Sequence, residues 1–342
     1  MYIDYRTDAG TRPTEEMRKA MYYAEVGDDV FGEDPSVNRL EETAAEMLGK
    51  ESALLVTSGT MGNQLAILSQ SSPGSEILVE ETSHIFVNEA ASHSIIAGVQ
   101  TRPVPSDKGV MEPEIVRKAI RMPGEATHTS LVCLENTHNR SGGTIVPLEN
   151  IKDLYSICQN SGTNIHLDGA RLFNAVVATS IPVHEYARYT DTVQICLCKG
   201  LGAPIGAILA GSDDFIARAR IWRQRLGGAM PQAGIIAAPA LVALTTMIDR
   251  LSEDHEKAKQ LAQGLAEMPG VLVDFQTVQT NIVMVNVQGT KKLPQELIYN
   301  LKKEGVLVSE FSPGVLRFVT HKDISVNNID ETLTRFASIL SK

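Results

Sequence analysis

Three short segments of this 342-residue chain carry residue types that could do chemistry together. The first is Leu54-Leu55-Val56-Thr57-Ser58-Gly59-Thr60-Met61-Gly62-Asn63, an apolar run passing through Ser-Gly-Thr into a helical pattern. A helix starting there leaves backbone N–H groups free and turns a positive dipole end outward, so Ser58, Gly59 and Thr60 read as a phosphate cradle. The second, Asn164-Ile165-His166-Leu167-Asp168-Gly169-Ala170-Arg171, delivers Asp168 at the end of a strand, where open α/β sheets place their ligands. Such an aspartate can pair with a protonated ring nitrogen, and Arg171 can reach a carboxylate or phenolate. In the third, Lys199 closes the apolar run Gln194-Ile195-Cys196-Leu197-Cys198 and opens a Gly/Pro loop. Apolar surroundings penalise an ammonium and favour the neutral amine, a Schiff-base nucleophile. Each segment alone also has a bland reading: a capped helix, an N-cap aspartate with a surface arginine, a solvated lysine. Together, and in that order, they supply what pyridoxal 5′-phosphate requires: a phosphate anchor, a counter-charge for the pyridinium and an amine for the aldehyde.

The elements that must position these groups follow from apolar periodicity. Ser52–Val56, Glu76–Val79, Ser130–Leu134, Asn164–Leu167 and Thr192–Leu197 read as strands, separated by helical patterns such as Asn38–Leu48, Glu112–Ile120 and Leu148–Asn160. That alternation predicts an α/β fold with a mostly parallel, doubly wound sheet. Residues 1–245, including an N-terminal arm, are expected to form the large domain, and 246–342 a small C-terminal α+β domain. In the latter, Val271–Phe275, Asn281–Val287, Val306–Ser309 and Val315–Thr320 read as strands, with helices over Ile248–Glu267, Leu293–Glu304 and Asn328–Leu340.

Charge and composition exclude several classes. Lys plus Arg total 31 against 41 Asp plus Glu, a net charge of −10, which argues against a general nucleic-acid binder. Cys133, Cys158, Cys196 and Cys198 show neither C-x-x-C nor Cys/His spacing, so no disulfide framework and no metal site are expected. The start is too polar for a signal peptide, and the uncharged run Leu226–Ile248 contains Gly227, Gly228, Pro231 and Pro239, so it reads as a buried loop and helix and not a membrane span. A cytoplasmic location is expected. No dinucleotide or P-loop glycine motif is present.

Beyond these motifs, the chain resembles the low-specificity L-threonine aldolases of the fold-type I pyridoxal-phosphate enzymes. The resemblance is carried by Arg6-Thr7-Asp8, Gly27-Asp28-Asp29-Val30-Phe31-Gly32-Glu33-Asp34-Pro35, Ser58-Gly59-Thr60-Met61-Gly62-Asn63, Glu135-Asn136-Thr137-His138-Asn139, Asp168-Gly169-Ala170-Arg171, Lys199-Gly200-Leu201 and Arg317-Phe318-Val319-Thr320-His321. It implies retro-aldol cleavage of L-threonine or L-allo-threonine, a small β-hydroxy-α-amino acid, to glycine and acetaldehyde. By that resemblance Lys199 holds the cofactor aldehyde, Asp168 its ring nitrogen, and Gly59 and Thr60 its phosphate. His84 stacks on the ring facing the substrate hydroxyl, and Thr7, Arg171 and Arg317 clamp the substrate carboxylate. The resemblance also implies a homotetramer with active sites at a dimer interface. Departures are Cys198 for a serine, Pro231 for an arginine expected near the phosphate, and Glu125 where a second hydroxyl-facing histidine is expected, with His128 three residues on. Alternatives on the same scaffold are a racemase, a β-eliminating lyase or a catalytically silent cofactor-binding protein.

Overall fold

Strand residues in this chain alternate between two apolar layers, which is what a strand covered on both faces must do. In the computed structural model, which describes residues 2–341, a first short strand β1 (Ile3–Asp4) is followed by β2 (Ser52–Val56), β3 (Glu76–Glu80) and β4 (Gln100–Val104). After the small hairpin β5 (Ser106–Asp107) and β6 (Val110–Met111) come β7 (Thr129–Glu135), β8 (Asn164–Asp168), β9 (Thr192–Cys196) and β10 (Ala207–Gly211). Seven of them form one sheet in the order β2-β10-β9-β8-β7-β3-β4, with β10 antiparallel to both of its neighbours. Leu55, Leu78, Val132, Leu167 and Ile195 enter the larger core on one face. On the other face, Leu54, Val56 and Leu209 join one smaller cluster and Ile77, Val79 and Leu131 another. Truncating any of these buried leucines to alanine would cost about 2–5 kcal/mol.

The five strands read from sequence are all present, within one or two residues at each end. The other two strands of this sheet carry weaker sequence signals for a physical reason. Gln100–Val104 is an exposed edge strand containing Pro103, and Ala207–Gly211 lacks the polar alternation that distinguishes a strand from a buried helix turn. Within the uncharged run, a loop leads into a helix over Gly234–Thr246 whose Ala237, Ala240 and Ala243 are buried. No single helix among the described residues is long and apolar enough to cross a membrane.

The C-terminal part builds its own core. β11 (Leu272–Val273), β12 (Ile282–Asn286), β14 (Ser309–Ser312) and β15 (Val315–Val319) form an antiparallel sheet in the order β11-β12-β15-β14. It packs with helices Leu251–Ala266 and Val326–Ser341. The expected single strand Val306–Ser309 divides: Val306–Leu307, labelled β13, pairs in parallel with β1, while Ser309 begins β14. The N-terminal arm is therefore a correction. Its Ile3 and Tyr5, expected with the large domain, pack into the C-terminal core, where the Tyr5 ring meets Phe318 edge-on and its hydroxyl lies 3.0 Å from Thr332 Oγ1. A buried phenol needs a hydrogen-bond partner, and Thr332 offers one only there.

Candidate active site

The parallel strands converge their C-terminal ends on one region. Asp168 closes β8, with Glu135 beside it in register at the end of β7, and Lys199 follows β9 by three residues. Ser58, two residues beyond β2, caps the helix Gly59–Gln70 by accepting the Met61 N–H at 3.1 Å. That helix has no acidic residue in its first turn, so the backbone N–H groups of Gly59 and Thr60 meet no capping carboxylate. Asp168 is wholly buried. Its Oδ2 accepts from Asn63 Nδ2 at 2.8 Å, and its Oδ1 from Gln194 Nε2 at 2.6 Å and Ala170 N at 3.1 Å. Burial alone would raise its pKa, but His84, Lys199 and the two amide donors hold it below the ordinary aspartate value. An ionised carboxylate oxygen can accept more than the single bond Oδ2 receives, so Asp168 fits a protonated ring nitrogen. The Asp8 and Asp168 carboxylates both feel the charge of Lys199, so its setting is not the wholly apolar one expected from its strand. Its backbone carbonyl is held by Thr11 Oγ1 at 2.8 Å.

His84 opens a short helix, His84–Val87, and its side chain is about one-third exposed. Nδ1 lies 3.0 Å from Glu89 Oε1, a carboxylate with no exposed side-chain surface, which leaves Nε2 free. Desolvation would lower the His84 pKa, but Glu89, Asp168 and Glu135 together raise it. His84, Glu89 and Asp168 lie close enough to share a cation geometrically. Between the two carboxylates, however, Asn63 Nδ2 already donates to Glu89 Oε1 and Asp168 Oδ2, both at 2.8 Å. An N–H₂ group aimed into that space is a poor neighbour for a metal ion.

The expected carboxylate clamp lies where the N-terminal arm, the large sheet and the small sheet meet. Arg171 is buried, and its fork is already taken: Nε and Nη2 donate to Asp8 at 2.8 and 2.7 Å. Asp8 also accepts from Asn281 Nδ2 at 3.1 Å. Burial opposes its charge, yet Arg171 and Lys199 hold Asp8 far below the usual carboxylate range. Arg171 thus offers only its Nη1 edge, which donates to Asn139 Oδ1 at 3.2 Å. Arg317, on β15, donates from Nη1 to the same oxygen at 3.0 Å and from Nη2 to the Arg6 carbonyl at 2.9 Å. Burial, then the charge of Arg171, pushes the Arg317 pKa down to about 10, which leaves it a cation near neutral pH. Arg317 Nε is buried without an acceptor. Thr7 lies next to Arg6, with its hydroxyl accepting the Ala9 N–H.

Structure and sequence differ at other positions. Glu125 and His128 stand on the exposed loop preceding β7, at the opposite end of the strands from Asp168, so Glu125 faces no hydroxyl in this chain's own site. Pro231 is exposed, in the loop before Gly234. Asp8, Glu89, Gln194 and Asn139 were not singled out from the sequence. The signal available was a polar residue inside an apolar strand or quoted motif, as for Gln194 within β9. Glu89 follows no such pattern.

Residues 4–288 match the beta-eliminating lyase family. The chain belongs to that family. It is 42% identical to low-specificity L-threonine aldolase 1 of Arabidopsis thaliana, over 98% of this chain and 95% of that one. It is 37% identical to the low specificity L-threonine aldolase of Escherichia coli K12, over 99% of this chain and all of the relative. In fold it is similar to a Leishmania major threonine aldolase, with a TM-score of 0.84 at 18% identity, covering 99% of both chains. The expected fold class, a fold-type I architecture with a mostly parallel sheet, is therefore correct.

Proposed function

We propose that this member of the family cleaves L-threonine and L-allo-threonine to glycine and acetaldehyde with pyridoxal 5′-phosphate. The observation that carries the reading is the buried Asp168, close to His84 and within the field of Lys199, whose Oδ2 receives one hydrogen bond and has an acceptor position to spare. When bound, the cofactor supplies an aldehyde that condenses with the substrate amine and a protonated ring that accepts the electron pair left at Cα. Lys199 Nζ holds that aldehyde between turnovers. Asp168 Oδ2 keeps the proton on the ring nitrogen, while Ser58 and the N–H groups of Gly59 and Thr60 take the phosphate.

Arg317, the free edge of Arg171 and the hydroxyl of Thr7 bind the substrate carboxylate. Fixing that group sets the orientation of the bonds at Cα, so the clamp would select Cα–Cβ for cleavage. His84 Nε2, directly or through a water, removes the proton from the β-hydroxyl. The Cα–Cβ bond breaks, the hydroxyl carbon leaves as acetaldehyde, Cα takes a proton from solvent to become glycine, and His84 gives the proton it removed back to solvent. No step requires a metal.

Phe31 and Ile95 are large apolar side chains left exposed on this chain. Such apolar groups suit a second copy of the chain, in keeping with a cytoplasmic homotetramer whose active sites lie at a dimer interface. Purified protein supplied with the cofactor should release equimolar acetaldehyde and glycine from L-threonine. Lys199→Ala should lose on the order of a thousandfold or more in kcat and the borohydride-reducible chromophore. A protein that binds the cofactor at Lys199 but releases no acetaldehyde from either threonine diastereomer would overturn this reading and favour the racemase or silent alternatives.

A further inference from the structure

Two guanidinium groups held side by side repel each other, so something must fix their spacing before a substrate carboxylate arrives. In this chain one neutral oxygen does so. Asn139 Oδ1 accepts from Arg171 Nη1 at 3.2 Å and from Arg317 Nη1 at 3.0 Å. The remaining bonded donors of Arg171 go to Asp8, and Arg317 Nη2 goes to the Arg6 carbonyl, so Asn139 is the shared contact. Arg317 Nε, buried and without an acceptor, remains available to a ligand oxygen.

Asn139 is itself held. It is buried, and its backbone N–H donates to Glu135 Oε1 at 2.8 Å. The other oxygen of Glu135 accepts the His84 backbone N–H at 2.6 Å. One carboxylate therefore ties the group facing the substrate hydroxyl to the group that spaces the carboxylate clamp.

We propose that Asn139 is a positioning residue for substrate recognition: its neutral amide oxygen spaces Arg171 and Arg317 so that their remaining donors meet the substrate carboxylate. Neutrality is essential. An aspartate of the same shape would pair with both guanidiniums and occupy by charge the place of the substrate.

The inference rests on the clamp reading of Arg171 and Arg317, and the test separates the two. Binding of glycine and of glycinamide, its neutral counterpart, is measured by calorimetric titration of the cofactor-loaded protein, alongside kcat and KM for L-threonine. Asn139→Asp is expected to weaken glycine binding and raise KM by tenfold or more, to leave glycinamide binding unchanged, and to change kcat by less than about threefold. Arg317→Ala is the control for the clamp itself and should abolish the preference for glycine over glycinamide. If Arg317→Ala keeps that preference, the clamp reading fails. If Arg317→Ala loses it while Asn139→Asp keeps wild-type binding, the clamp stands and the role of Asn139 is overturned. A loss of kcat and thermal stability in Asn139→Asp with the preference intact would make Asn139 merely structural, which also overturns it. Should Asn139→Asp not fold, Asn139→Ala gives the same comparison, with a smaller rise in KM expected.

Discussion

Two helices begin at sequence motifs of similar prominence, and they have opposite fates. The Gly27–Pro35 run leads into the helix Pro35–Leu48, and Ser58-Gly59-Thr60 into the helix Gly59–Gln70. At the first, the buried Asp34 carboxylate closes the terminus. Oδ1 accepts the N–H groups of Ser36 and Val37 at 3.1 and 3.0 Å. Oδ2 accepts those of Gly27 and Gly234 at 3.1 and 2.8 Å, so the same side chain also caps the helix Gly234–Thr246. Next to it Asp29 pairs with Arg223 at 2.7 Å. At the second, a serine hydroxyl satisfies one N–H and no carboxylate is nearby in the first turn. A terminus whose donors are filled by the chain serves stability, and one left with donors and positive potential can serve a ligand.

The largest effect that would sharpen this contrast is at Asp34. Asp34→Ala leaves four N–H groups without their acceptor and should cost about 3–5 kcal/mol in denaturant unfolding. A loss below about 1 kcal/mol would mean that this terminus is not closed as described. Ser58→Asp converts the open terminus toward the closed type. Aspartate caps as well as serine, so unfolding of the cofactor-free protein should stay within about 0.5 kcal/mol, while pyridoxal-phosphate affinity falls about tenfold or more by charge repulsion. Unchanged affinity in equilibrium dialysis would remove this helix from the phosphate site.

The third prediction is smaller and concerns protons. His84 must be neutral to accept one, and Glu89 helps to raise its pKa above the ordinary histidine value. Activity therefore rises only as pH climbs through that raised pKa. Glu89→Gln removes the charge that favours the imidazolium, so the acidic limb of the kcat/KM profile should move to lower pH. A limb that stays in place would show that another group sets it.

Much of the fold was legible because strands buried on both faces must be apolar along their whole length, as in Leu54–Val56 and Leu131–Leu134. Edge strand Gln100–Val104 was not, since half-exposed residues and a proline carry no such signature. Of the candidate site, Ser58, Asp168 and Lys199 could be read from their positions at strand ends. His84 and Arg317 could be placed only by resemblance, because a single histidine or strand arginine has no distinctive spacing. Asp8 and Asn139 lay within quoted motifs, yet nothing local indicates that one fills the Arg171 fork while the other joins it to Arg317.

The sequence by itself determined the strands that are apolar along their whole length, where their C-terminal ends place a carboxylate and an amine, and which helix opens without an acid. These are local consequences of periodicity, capping and charge type. The tertiary structure alone decided that the N-terminal arm joins the C-terminal core, that Asp8 feels the charges of Lys199 and Arg171, and that Arg171 and Arg317 share the Asn139 oxygen. Those contacts join residues more than thirty and up to more than three hundred positions apart in the chain, and close approach at such separations follows from packing the layers, which no local pattern records.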